Sequence, residues 1–262
     1  MTALTPIRTT SLLALCAMAA LLAGPRAAVA QANLVTNGNF AVTARSGGAQ
    51  SFQFGTYGGY SSPTMSLAGW SSPGGYNYVF IPTDTVATGH YGNLSLWSPV
   101  STPSSSANGF TNAGPTGGNF VAADGAFGTE AITQTITGLT VGATYRLSFA
   151  WAGAQQSGFT GPTTDFWSAS FGSETYRTPT VSVANKGFSG WMNQTFQYVA
   201  TSSSQVLSFL ATGTPSGVPP FALLTSVSLT QVPEPGVLPL MLSGVAGLLA
   251  LTWHRRARVK NG

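Results

Sequence analysis

Tyr145-Arg146-Leu147-Ser148-Phe149-Ala150-Trp151 is the stretch that decides the fold class. A large apolar side chain stands at every second position, with Arg146, Ser148 and Ala150 between them. Successive side chains of an extended strand point to opposite faces, so this is a strand with one face on a core. Outward from it the same period recurs. Phe196 and Tyr198 flank Gln197, Leu207 and Phe209 flank Ser208, and Ile132, Gln134 and Ile136 share one parity. Phe221, Leu223, Val227 and Leu229 share another, interrupted by Thr225. Glycines such as Gly138, Gly142, Gly172 and Gly213, with Pro162, Pro179 and Pro215, punctuate these runs. Many short strands between Gly/Pro breaks predict an all-β sandwich. No part of residues 31–231 sustains a 3.6-residue period, so helix is expected only at the two termini. Residues 98–118 and 55–64, rich in Ser, Pro, Gly, Asn and Tyr, read as long loops inside one domain.

Charge narrows the function classes. Only 6% of the 262 residues are charged, against roughly 25% in an average soluble protein. The formal charge of +4 belongs to the ends. Between residues 31 and 232, Arg45, Arg146, Arg177 and Lys186 face Asp84, Asp124, Glu130, Asp165 and Glu174, a net charge of −1. Nucleic-acid binding needs clustered Lys and Arg to displace phosphate counterions, and the body has no such cluster. The only cysteine, Cys16, lies in the first apolar run, so disulfide and thiol chemistry are absent from the body.

Both ends carry addressing information. Arg8, the apolar run Leu12 to Ala23, and Ala28-Val29-Ala30 form the positive region, apolar core and A-x-A site of a secretory signal peptide. Residues 1–30 are therefore expected to be removed, with Gln31 as the new N-terminus. At the other end, Val232-Pro233-Glu234-Pro235 precedes residues 236–253, eighteen residues without a charge. As a helix they would rise about 27 Å, enough for a hydrocarbon core near 30 Å. Arg255, Arg256, Arg258 and Lys260 follow, and positive charge keeps that side cytoplasmic. In its three parts and their order, segment 232–262 resembles the PEP-CTERM sorting domain. That resemblance implies a partner, a membrane-embedded sorting enzyme of the exosortase type. It also implies transient anchoring in the inner membrane, cleavage near the box, and release to the cell surface or the extracellular polysaccharide matrix.

The body carries a second resemblance. Asn33-Leu34-Val35-Thr36-Asn37-Gly38-Asn39-Phe40, Gly69-Trp70, Gly118 to Gly125, and Pro219 to Leu229 look like the opening strand, central strands and closing strand of galactose-binding-like jelly rolls. It implies that the segment at Leu34-Val35 runs beside Val227-Leu229. Where that fold often places acidic groups on a structural calcium, this chain has Ala41 and Thr225-Ser226. The calcium is therefore not carried over: no metal or other cofactor is expected, and the body should fold without it. Asp124 is the one carboxylate near a turn able to compensate.

Groups for catalysis are sparse. His90 is the body's only histidine and stands in a Gly-rich loop, and no G-x-S-x-G elbow occurs. No motif singles out a pair of facing carboxylates. Asp124-Gly125 reads as a turn, and Asp165 and Glu174 read as partners for Arg177 or Arg146. The aromatic residues of loops, above all Trp70, Tyr76 and Trp97, are the better candidates. A flat ring can stack on a sugar face while Asn, Gln and Ser bond its hydroxyls; the alternative for each Trp is a core plug. The expectation is an exported, surface-sorted, non-catalytic matrix or adhesion component, the alternatives being a carbohydrate-binding module or a cryptic polysaccharide hydrolase.

Overall fold

The computed structural model describes residues 31–45, 54, 65–82, 94–100 and 104–233. The signal segment, Tyr57, Tyr60, His90, Glu234, Pro235, residues 236–253 and the basic tail lie outside the described residues. Those described are strands and connections, without helix.

Twelve strands follow in order: β1 Thr43–Arg45, β2 Met65–Leu67, β3 Asn77–Phe80, β4 Phe120–Asp124, β5 Ile132–Thr137, β6 Thr144–Gln155, β7 Thr163–Phe171, β8 Glu174–Arg177, β9 Val181–Val183, β10 Met192–Val199, β11 Ser204–Thr214 and β12 Pro220–Gln231. β1 and β2 form a small ribbon. One main sheet has the order β10-β6-β12-β4-β3, and the other β5-β11-β7-β8, with β9 also on β7. All neighbours are antiparallel. The sheets face each other across a core in which Tyr145, Phe149 and Trp151 of β6 meet Trp167 and Phe171 of β7 and Phe209 of β11. The Trp167 indole N–H donates across the core to the Leu223 carbonyl at 3.1 Å, and the Tyr198 hydroxyl to Ala169 at 2.7 Å. Buried aromatic rings thus have their polar handles satisfied.

Segment 33–38 is not a strand, but it does run beside β12. Leu34 N donates to Leu229 O at 2.9 Å, and Val227 N donates to Gly38 O at 2.8 Å.

One expectation needs correction. Phe221 and Leu223 do not share a face with Val227 and Leu229. The first pair packs on the outer side of the five-stranded sheet and the second in the core. A register shift between Thr225 and Ser228, with Ser226 at φ 55°, reverses the alternation, as an extra residue in one strand must.

The expected loop at 98–118 also has a structural duty. Leu94, Leu96 and Phe110 lie over the outer face of the five-stranded sheet, against Tyr78, Phe80, Phe120 and Leu223. β3 and β4 are consequently buried on both faces. Small residues, Ala122, Ala152 and Ala154, leave room beneath this cover.

Candidate functional site

β4 and β6 both run antiparallel to β12 and flank it. They therefore run parallel to each other about 10 Å apart, two strand spacings, and end on the same side. Their following loops leave there beside the β11–β12 connection: Gly125 N donates to Pro220 O at 3.0 Å, and Gln156 N to Pro219 O at 3.3 Å. Each loop presents one ring. Phe127, in the β4–β5 loop, is 50% exposed, and Phe159, in the β6–β7 loop, is 39% exposed.

Both rings have support beneath them. Asp124 Oδ1 accepts from Ala126 N at 2.8 Å and Phe127 N at 3.0 Å, a carboxylate-capped turn that fixes the first loop. Tyr76 stands edge-on to Phe127 with centroids 5.7 Å apart, and leans on Phe221 behind it. Trp97 donates its indole N–H to the Phe159 carbonyl at 2.8 Å. Gln155, fully buried, donates from Nε2 to Gly161 O at 2.7 Å and accepts from Lys186 N at 2.6 Å. Gly161 N donates to Asn185 Oδ1 at 2.9 Å. This end thus combines two exposed rings with loops that buried Gln155 and the Asn185 amide hold in place.

The three aromatic residues singled out from sequence divide. Tyr76 and Trp97 belong to this end, whereas Trp70 does not. Trp70 is 7% exposed, packs between Phe40 and Phe209, and donates its N–H to Asn37 O at 3.1 Å. It plugs the core beside the opening segment and offers no face to a ligand. Trp97 is 2% exposed, with the Lys186 ammonium 4.6 Å above its ring centroid, so its free face is occupied by a cation. The sequence reading missed Phe127 and Phe159, which carry the exposure. Their signal was a lone aromatic ring between turn residues, Asp124-Gly125-Ala126-Phe127-Gly128 and Gly158-Phe159-Thr160-Gly161.

Asp165 departs from its expected ion pair. It is fully buried at the start of β7, and neither carboxylate oxygen has a hydrogen-bond partner. Burial first, and then the charge of Asp124, hold its pKa well above the ordinary carboxylate range. Burial also raises the Asp124 pKa to about 6, against the lowering effect of the Ala126 and Phe127 N–H groups.

The calcium position of galactose-binding-like folds does not fit the residues present. A groove of about 430 Å³ between Asn33–Asn39 and Ser226–Ser228 has its three asparagine Oδ1 atoms already in use. Asn33 Oδ1 accepts from Val35 N and Leu229 N, Asn37 Oδ1 from Val42 N, and Asn39 Oδ1 from Ala41 N. The Thr225 hydroxyl donates to Asn119 O at 2.7 Å. No carboxylate lines the groove, and a hard cation usually requires one.

No protein-family model matches the sequence, and no curated protein matches it. Among solved structures, the chain is similar to TmCBM61 in complex with beta-1,4-galactotriose, at 12% identity and TM-score 0.40, covering 77% of this chain and 99% of that one. The CBM22-1 xylan-binding domain from Paenibacillus barcinonensis Xyn10C shares 13% identity at TM-score 0.34, covering 80% and 100% respectively. At such scores and identities the site stands on its own geometry.

Proposed function

We propose that this chain is an exported, surface-sorted, non-catalytic β-sandwich of the jelly-roll, galactose-binding-like kind that binds neutral polysaccharide at its Phe127–Phe159 end. The observation that carries this reading is the pair of exposed rings on adjoining loops, Phe127 backed by the half-buried Tyr76 and Phe159 held by the buried Trp97. An exposed apolar ring costs solvation unless something covers it, and the apolar face of a sugar ring does so. The near-neutral body favours an uncharged ligand over a polyanion.

A glycan array with the purified protein tests the reading. Phe127→Ala and Phe159→Ala should each weaken binding to the retained glycan about tenfold, on the scale of roughly 1–3 kcal/mol for a ring stacked on a flat partner. Their unfolding midpoints should stay within the ~0.5 kcal/mol typical of surface changes. Undiminished binding by the double variant rejects this end as the site.

Delivery is a separate part of the proposal, supported by the Pro-Glu-Pro box, uncharged run and basic tail. Glu234→Ala should leave the protein in the inner membrane fraction of cells that contain the sorting enzyme. Normal surface delivery of that variant would reduce the tail to a plain anchor.

A further inference from the structure

β10 borders the five-stranded sheet, with β6 on one side and no strand on the other among the described residues. The phase of the ladder fixes which of its main-chain groups face outward. Ala200 N donates to Ala143 O at 3.0 Å, and Val232 N donates to Thr144 O at 2.8 Å. Bonding direction alternates along an antiparallel strand, so odd-numbered residues of β6 bond to β10 and even-numbered ones to β12. Gln194, Phe196 and Tyr198, register partners of Phe149, Leu147 and Tyr145, therefore use their N–H and C=O groups on β6. Asn193, Thr195, Gln197 and Val199 point theirs outward, and all four are exposed. The Gln194 side-chain amide donates to Thr195 O at 3.2 Å, as an outward carbonyl permits.

An open edge is a template for another strand unless something blocks it. The other sheet borders are blocked. Phe54 N donates to Asn77 O of β3 at 2.7 Å, and Ser71 exchanges two bonds of 2.9 Å with Thr133 of β5. β8 is four residues long and carries Glu174 and Arg177. β10 has eight residues without a charge, a proline or a register shift. Beside it on the core side, Tyr176 stacks on Phe196 at 5.5 Å with planes 22° apart, and that Tyr176 ring is 43% exposed.

We propose that β10 pairs with β10 of a second copy of this chain, antiparallel about a two-fold axis at Phe196, joining two five-stranded sheets into one. The edge is complementary to itself. With the axis at Phe196, Thr195 stands opposite Gln197 of the copy and Asn193 opposite Val199. Every outward N–H and C=O of the strand then has a partner, about eight bonds in all, and the core faces of both copies stay on the same side. The two Phe196 rings meet in the closer, non-hydrogen-bonded kind of pair, where aromatic residues stabilise a sheet. The copy also shields the Tyr176 ring that rests on Phe196. An uncharged strand does not repel its own copy. A two-fold contact closes at two chains, so the edge is consumed without growing a fibre. Contact along about 27 Å of edge, two sheets deep, buries on the order of 1,000 Å² in total, the lower limit for a specific interface. The dimer is therefore reversible, with a Kd on the order of 10 µM. It stands apart from the glycan reading, since Phe127 and Phe159 lie on other loops.

Sedimentation of the purified protein should move from monomer to dimer mass across about 1–100 µM. Thr195→Pro removes only an outward N–H, which a border strand tolerates, and should leave a monomer throughout. Thr195→Lys with Gln197→Lys sets like charges opposite each other on an exposed face and should do the same with an unchanged unfolding midpoint. Register is read by cross-linking in a chain whose one native thiol is removed by Cys16→Ser. Asn193→Cys mixed with Val199→Cys should form a disulfide-linked dimer on mild oxidation, the two positions lying about 5.5 Å apart. Each variant alone should not, because identical positions lie about 20 Å apart along the pair. A monomer at all concentrations with an intact β-sheet spectrum would overturn the proposal. So would a dimer that survives both sets of Thr195 substitutions, or cross-linking as fast for Asn193→Cys alone as for the mixture.

Discussion

At pH 8, Asp165→Asn is expected to unfold of order 10 °C above the parent chain, and to lose that advantage by pH 4. The reason is the environment of the acid. Asp165 faces the methyl groups of Val181 and Val183 and the backbone of Gly153, with no donor to either oxygen. Ionising it there leaves an uncompensated buried charge, which costs on the order of 3–5 kcal/mol, and each kcal/mol moves the midpoint of a domain this size about 2–4 °C. Its pKa is raised on folding, so its contribution is fully present below the unfolded value near 3.8 and is lost as pH rises through the folded value. Asp124 behaves likewise over the narrower window from 3.8 to about 6. The parent should therefore lose stability from pH 4 upward, steeply to pH 6 and further beyond. Asp165→Asn should retain only the fall between pH 4 and pH 6. Denaturant melts at half-unit pH steps would show it. Parallel curves for the two proteins would mean that Asp165 is compensated in solution.

Asp165 also shows what a sequence can and cannot disclose. Its place on the apolar parity of Thr163, Asp165, Trp167, Ala169 and Phe171 was visible, because strand period alone fixes which side chains point inward. That it lacks a basic partner was not visible, because partnership depends on which strand lies opposite. β10, β11 and the first half of β6 were legible for the same reason as their burial: each alternates against one core. The bulge after Thr225 was not, since nothing local distinguishes Thr225-Ser226 from ordinary strand residues. It emerges only where β12 must pair with β4 on one side and β6 on the other. At the proposed site, Tyr76 and Trp97 were legible as loop aromatics. Their role as supports under Phe127 and Phe159 was not, because depth below a surface is a tertiary property. Trp70 was open to either reading from sequence; a carbonyl within reach of its N–H makes a buried indole affordable.

Phe120→Ala should be the most damaging single change in the outer layer, costing about 3–5 kcal/mol. Phe120 is fully buried on the side of β4 that faces away from the main core, where a sandwich strand would ordinarily meet water. It stacks on Phe80 at 4.8 Å with planes 10° apart, and takes Phe110 and Trp191 edge-on at 5.7 and 5.8 Å. Phe110 in turn leans on Phe188 at 4.6 Å, and the Trp191 indole donates to Ala113 O at 3.0 Å. One ring thus links the sheet, the cover formed by residues 94–100 and 104–119, and the β9–β10 loop. Its removal opens a cavity that Ala122 and Ala154 are too small to fill, while the cover loses the surface it rests on. Against a total stability of about 5–15 kcal/mol, the midpoint should fall by roughly 6–20 °C, and a protease should cut the cover near residues 104–109 sooner than in the parent. Phe127→Ala removes a ring of the same size and should do neither, because that ring is half exposed. A loss below 1 kcal/mol for Phe120→Ala would mean that the cover lifts in solution. The outer face of the five-stranded sheet, rather than its loop end, would then become the surface open to a polysaccharide.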